Sequence, residues 1–350
     1  MRRKKQPRIV VLGYFGYRSN QLDGQTVKTR NILDLLQDKC KDASIQYFDT
    51  DRLHHNPLSV FTMLRRVCRS DRLLYVPGRN NLFHFAPLLA ILAKLFRFKV
   101  IQLVVGGWLA EWLHQYPKSR WAVSKYEVIL TETKIDKENL ERMCGLKQVR
   151  VFPNFRMDSR EDLQLETSSI RTDFRIVFMA RIHRMKGLDW MDALASHIEK
   201  NFERGSVKID FYGPINPDDN DYFSEILSRH KSMNYLGVLD PSDVVKTLSK
   251  YDVLVLPTHF FTEGFPGSVL DAYRSGIPVI VTEWLHAKQF VQDGESGFVI
   301  PFEHGDQDLC DKVDYLINNP NKLKDLKRQA YAESLRYTPE VAWQILEEYL

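Results

Sequence analysis

The chain has 350 residues, 44% apolar and 27% charged, with a formal net charge of +4. That composition fits a globular protein with more than one domain and a sizeable core, and it excludes disordered, collagen-like and disulfide-stapled classes. Its four cysteines, Cys40, Cys68, Cys144 and Cys310, form no CxxC pair, so neither a zinc knuckle nor a thiol redox motif is present and a reducing compartment is expected.

Met1 is followed by four basic residues, but the next apolar run, Ile9 to Leu12, is too short for a signal-peptide core. "RIVVLGYFG" (8 to 16) reads as a buried strand ending in a glycine turn, and "TVKTRNILDLLQ" follows with Val27, Ile32, Leu35 and Leu36 at helical spacing. "FDTD" (48 to 51) has the form of a metal-binding DxD pair, yet it reads as a loop after a strand. Between Arg52 and Lys125 stand 12 Lys or Arg against only Asp71 and Glu111, a local excess of +10. A solvated face is the plain reading of such a run, but these cations interleave with Leu, Phe and Trp, which also suits an anionic membrane surface. The longest apolar stretch, "LFHFAPLLAILAKLF" (82 to 96), is interrupted by His84, Pro87 and Lys94 and falls short of the roughly 20 residues that span a bilayer. A cytoplasmic protein is expected, docked peripherally on the inner face of the plasma membrane if the membrane reading holds.

Apolar runs continue at "RLLYVPG" (72 to 78), "KVIQLVVGG" (99 to 107), "YEVILTET" (126 to 133) and "VRVFPNF" (149 to 155), each separated by a helical pattern. A polar stretch (156 to 173) reads as a linker. A second series then runs through "FRIVFMAR" (174 to 181), "VKIDFYGP" (207 to 214), "MNYLGVL" (233 to 239), "YDVLVLP" (251 to 257), "IPVIVTE" (277 to 283) and "GFVIP" (297 to 301). Two βαβ series predict an α/β protein of two Rossmann-like, doubly wound domains facing a central cleft, with chemistry in the loops after the strands.

Three of those loops carry suggestive residues. Gly24 precedes a helix start and lets backbone approach a ligand, while Gly13 and Gly16 do not make GxGxxG, which argues against hydride transfer. Arg181 and Lys186 flank the turn after the 174–181 strand, where two cations and free backbone N–H groups suit a diphosphate; ordinary solvated loop cations are the alternative. In "LPTHFFTEGFPGSVLDAYRSG" the residues Gly264, Pro266 and Gly267 force a turn, Ser268 falls near a helix N-cap, and Glu263 and Asp271 lie on either side. A helix-start acid and a capping carboxylate are the structural readings of those two. As a set, the cations, the amides of Gly267 and Ser268 and the two carboxylates describe a nucleotide sugar.

On these residues the chain resembles retaining glycosyltransferases of family 4 with the GT-B fold, whose signature of two acids separated by seven residues stands here as Glu263 and Asp271. The likeness extends to "VFPNF", "ARIHRMKGLD", "QDGESGFVIP" and "YTPEVAWQILEEYL". It implies an acceptor-binding domain (1–155), a linker (156–173), a nucleotide-sugar domain (174–335) and a C-terminal helix (336–350) returning to the first domain. It also implies roles: Glu263 beside the transferred sugar with Gly264 and Phe265 offering backbone groups, Arg181 and Lys186 on the diphosphate with Gly24, Gly267 and Ser268, and Asp271 on the ribose. The implied reaction moves a sugar from a nucleotide-diphosphate donor to a saccharide or lipid-linked acceptor with retention, in bacterial surface polysaccharide or glycolipid synthesis. No cofactor, metal or nucleic acid is expected. Two departures stand out: the second acid is Asp rather than Glu, and the loop after the fourth strand reads "VVGGWLAEW" where many relatives carry a histidine. A non-hydrolysing sugar-nucleotide epimerase and a catalytically silent GT-B binding protein remain alternatives.

Overall fold

The computed structural model describes residues 6–18, 24–157 and 173–350. The chain divides into two compact units, Met1–Met157 with Tyr337–Leu350, and Asp158–Arg336. Most of the stretch read as a linker, 158–172, lies outside the described residues.

In the first unit six parallel strands form one sheet: β1 (Arg8–Gly13), β2 (Ser44–Asp49), β3 (Arg72–Val76), β4 (Lys99–Leu103), β5 (Val128–Thr131) and β6 (Val149–Val151), in the order β2-β1-β3-β4-β5-β6. The near-continuous apolar runs follow from burial on both faces. Side chains alternate, so Ile9, Val11, Leu74 and Ile101 share one core with the Gly24–Lys39 helix, while Val10, Leu12, Leu73 and Val100 join a second core beneath the Arg79–Phe96 and Pro117–Val123 helices. The Pro339–Leu346 helix adds Ala342 and Leu346 to the first of these cores. Within "FDTD", Asp51 Oδ2 lies 3.6 Å from His55 Nε2. Asp49 ends β2 and its Oδ1 accepts the N–H groups of Phe15 at 3.2 Å and Asp51 at 3.0 Å, which clips the turn after β1 to its neighbour.

A buried ion pair underlies the carboxyl ends of β4 and β5. Lys28 Nζ lies 2.8 Å from Glu132 Oε1 and donates to the Val104 carbonyl at 3.0 Å, while Glu132 Oε2 accepts the Gly106 N–H at 3.3 Å. The pair therefore ties the Gly24–Lys39 helix to the "VVGG" loop.

The second unit has six parallel strands, β7 (Phe174–Met179), β8 (Val207–Tyr212), β9 (Met233–Tyr235), β10 (Val253–Leu256), β11 (Val279–Thr282) and β12 (Gly297–Ile300), in the order β12-β11-β10-β7-β8-β9. Strand order reverses between β7 and β10, which pair directly, so the crevice that takes ligands in such sheets lies at their carboxyl ends. No helix among the described residues is long and apolar enough to cross a membrane.

Removing one partner of a buried pair leaves the other charge uncompensated, at a cost of about 3–5 kcal/mol. Lys28→Met should lower the unfolding free energy of the first unit by that order in urea titrations, and the double variant Lys28→Met/Glu132→Leu should lose less than the single one.

Candidate active site

The two loops at the β7/β10 reversal are joined at several points. After β7, Ile182 is buried and its N–H donates to the Pro214 carbonyl at 2.9 Å, which sets the path of the chain toward a single 3-10 turn, Arg184–Lys186. His183 Nδ1 accepts the Met185 N–H at 2.9 Å and caps that turn. Asp219 holds it from the side, accepting the Arg184 N–H at 3.3 Å and pairing with the Arg184 guanidinium at 3.2 Å. Burial works to raise the Asp219 pKa, but hydrogen bonds from Asn216 and the Arg184 N–H, with the Arg184 guanidinium close by, hold the carboxyl below its ordinary range.

The turn is then latched to the loop after β10. The Met185 carbonyl accepts the His259 N–H at 2.8 Å and the Thr258 hydroxyl at 3.3 Å. His259 Nε2 meets Asp189 at 2.8 Å. Gly187 makes the close approach possible: its φ is +87°, and a Cβ there would sit 2.0 Å from the Pro257 carbonyl oxygen.

Lys186 leaves this turn toward Glu263. Its Nζ lies 2.6 Å from Glu263 Oε2, with both side chains less than one-fifth exposed, and 5.1 Å from the centre of the Phe260 ring. Partial burial and charge-assisted hydrogen bonding make this a stronger contact than a surface ion pair. Beyond Glu263 the chain turns into the Gly267–Arg274 helix, whose N-cap is Pro266. Ser268 therefore lies within the first helical turn rather than at the cap. The N–H groups of Val269 and Leu270 bond back to the Pro266 carbonyl, while those of Gly264, Gly267 and Ser268 have no acceptor among the described residues. Backbone N–H groups left at a turn and a helix start are donors of the kind that suits an anion.

The remaining predicted residues have distinct placements. Arg181 is exposed, and its guanidinium makes no ion pair or hydrogen bond among the described residues. The Phe265 ring is buried and stacked on Phe290 with centroids 4.0 Å apart, so it anchors the turn. Asp271 is buried in the helix, 3.9 Å from Arg274 Nη1. Gly24 belongs to the first unit, as the first residue of its Gly24–Lys39 helix. Sequence reasoning missed His183, Asp219, Thr258 and His259, whose work is to hold the loops together. Only the presence of His183 and His259 in the two marked loops hinted at them.

The model of the family described as glycosyl transferases group 1 matches residues 159–333, half of the chain. The chain belongs to that family. It is 24% identical over 199 residues to the capsular polysaccharide biosynthesis glycosyltransferase CapM of Staphylococcus aureus, covering 56% of this chain and 50% of that protein. It is 28% identical over 119 residues to the N,N'-diacetylbacillosaminyl-diphospho-undecaprenol alpha-1,3-N-acetylgalactosaminyltransferase of Campylobacter jejuni, covering 34% and 30%. The chain thus spans half or less of the curated relatives it matches. Among solved structures it is similar to Anabaena Alr3699/HepE in complex with UDP, with a TM-score of 0.74 and 15% identity over 98% of this chain and 99% of that one. It is also similar to the lipopolysaccharide outer core galactosyltransferase WaaB, with a TM-score of 0.68 and 14% identity over 97% and 98%. The fold is that of the GT-B glycosyltransferases.

Gly187→Ala should displace the β7 loop from Pro257 and cost on the order of 3 kcal/mol in urea unfolding. Gly205→Ala is the control, with a similar φ of +85° but nothing within 4 Å of the added Cβ, and should cost about 1 kcal/mol. Equal losses would show that the close approach at Gly187 carries no special constraint.

Proposed function

We propose that the chain transfers a sugar from a nucleotide-diphosphate sugar to a saccharide or lipid-linked acceptor with retention of anomeric configuration, in the synthesis of a surface polysaccharide or glycolipid. The observation that carries this reading is the contact between Lys186 and Glu263 at the β7/β10 reversal, beside three N–H groups without an acceptor among the described residues. Support comes from the relatives: one is named for capsular polysaccharide synthesis, one for transfer to an undecaprenol diphosphate-linked sugar, and HepE is solved with UDP. A UDP-sugar is therefore the first donor to test. The acceptor is presented at the cytoplasmic face of an anionic membrane, a reading supported by the +10 excess between Arg52 and Lys125.

The mechanism follows from charge. An arriving diphosphate competes with Glu263 for the Lys186 ammonium and meets the Arg181 guanidinium and the amides of Gly267 and Ser268. The acceptor hydroxyl attacks the anomeric carbon on the face that the diphosphate leaves, and its proton passes to a leaving phosphate oxygen. Arg181 and Lys186 stabilise the charge that develops there. Glu263 turns to a hydroxyl of the transferred sugar, Gly264 and Phe265 offer it backbone groups, and Asp271 takes the ribose diol. The scheme asks for no metal ion.

Because charge-assisted hydrogen bonds contribute about 1.5–3 kcal/mol each, Arg181→Ala should weaken UDP binding by roughly 10- to 100-fold. Lys186→Ala should lose at least as much, since it also leaves the Glu263 carboxylate uncompensated. Glu263→Gln frees Lys186, so UDP should bind as well or better while transfer falls steeply. Asp271→Ala should weaken UDP, with Asp271→Glu remaining active. Calorimetric UDP titration and product analysis with a panel of UDP-sugars read all of these. Epimerised UDP-sugar, an inverted glycoside, or UDP affinity unchanged in both cation variants would refute the assignment.

A further inference from the structure

Nine of the seventeen large apolar residues exposed among the described residues fall between Leu58 and Trp121. The most exposed stand on three helices of one layer: Leu58 (71% exposed) caps and Phe61 (69%) lies on Ser59–Cys68, Ile91 (56%) and Leu95 (69%) lie on Arg79–Phe96, and Trp121 (49%) on Pro117–Val123. The middle helix packs against both of the others. Most of its length is apolar on both faces, with exposed His84 and Lys94 set among the outward residues. Leu82, Ala86, Leu89 and Ala90 face the core, while Phe83, Pro87, Leu88, Ile91 and Leu95 share an outward arc of roughly 140° at 100° per residue. A helix of that kind needs an apolar partner on its second face.

The charge on this layer selects the partner. None of the three helices contains an acid. Arg65, Arg69, Lys94 and Lys118 are exposed among or beside the apolar positions. Arg66 is committed elsewhere, since it donates to the Tyr47 carbonyl at 2.6 Å. Two copies meeting through this face would bring cation against cation, so self-association is disfavoured. A surface that offers hydrocarbon beneath a layer of negative charge satisfies both features at once.

We infer that the Ser59–Cys68, Arg79–Phe96 and Pro117–Val123 helices form a docking face for an anionic lipid bilayer, with Phe61, Ile91, Leu95 and Trp121 entering the headgroup boundary and the cations pairing with lipid phosphates. The Arg79–Phe96 helix lies in the plane of the surface, consistent with its failing the length and apolarity needed to cross it. Trp121 takes the interfacial depth that indole rings favour. The inference deepens the membrane-borne acceptor reading proposed above, but its test does not depend on turnover.

The test uses the full chain with vesicles of phosphatidylcholine alone or mixed with phosphatidylglycerol, some carrying brominated acyl chains. The wild type should sediment with the anionic vesicles at low salt and not with phosphatidylcholine alone, and salt should release it only in part. Phe61→Ser/Ile91→Ser/Leu95→Ser should reduce partitioning at least tenfold at every salt concentration, and Arg65→Glu/Arg69→Glu/Lys94→Glu/Lys118→Glu should abolish it. Circular dichroism and UDP affinity should match the wild type in both. Brominated chains should quench a fluorescence component that Trp121→Phe removes. The inference is overturned if the wild type ignores anionic vesicles at low salt, or if it binds while the apolar triple variant is unaffected and Trp121 is not quenched. A concentration-dependent dimer lost in the apolar variant, without vesicle binding, would overturn it in favour of a second copy. UDP-sugar hydrolysis without vesicles tests the transferase reading separately: a chain that docks but neither binds nor cleaves any UDP-sugar sinks that reading and leaves the docking face standing.

Discussion

The second unit is organised around the direct parallel pairing of β7 with β10, because that pairing places the Lys186 turn against the Glu263 loop. Everything near the site serves this approach. Gly187 lets the backbone pass the Pro257 carbonyl, the Met185 carbonyl gathers donors from Thr258 and His259, and Asp219 fixes the turn from outside. An ammonium and a carboxylate held in contact are each half-satisfied, and a diphosphate sugar can take both, the phosphate replacing the carboxylate and a sugar hydroxyl replacing the ammonium. On the proposed reading, Lys186 and Glu263 neutralise each other until a donor arrives, which reduces the reorganisation left for the reaction.

Much of this was legible in the sequence. All six strands of the second unit were readable in the sequence; burial on both faces demands apolar runs of the inner strands, while the edge strand β9 buries only Met233. The edge strand β2 carries no such run, because little of it beyond Phe48 and Asp49 is buried, and only the turn after it marked its place. Arg181, Lys186 and Glu263 stood out only as a set in loops after strands, since each alone reads as an ordinary solvated or capping charge. The contact between Lys186 and Glu263 could not be seen, as 77 residues separate them and only the strand order brings them together. The helix start near Ser268 was legible, and the structure sets its cap two residues earlier, at Pro266. Nothing in the sequence marked Lys28 and Glu132 as buried partners; their burial depends on the packing of three separate elements.

The first unit poses a different balance. Its two cores bury the expected faces of the strands, yet the Arg79–Phe96 helix carries more apolar surface than the sheet can cover. Amphipathic spacing in the sequence looked like any surface helix until exposure was known. The burial pattern turns an ambiguous charge run into a surface with a chemical preference, and the same three helices that lack acids are those that leave aromatic and branched aliphatic side chains uncovered.

The most direct measurement of the donor site is amide hydrogen exchange of the full chain with and without UDP. If a diphosphate sits between the Lys186 turn and the start of the Gly267–Arg274 helix, segments 180–187 and 262–270 should exchange more slowly with UDP bound, the N–H groups of Gly264, Gly267 and Ser268 having gained an acceptor. Protection confined to other segments while UDP binds, or no protection at saturating UDP, would contradict it.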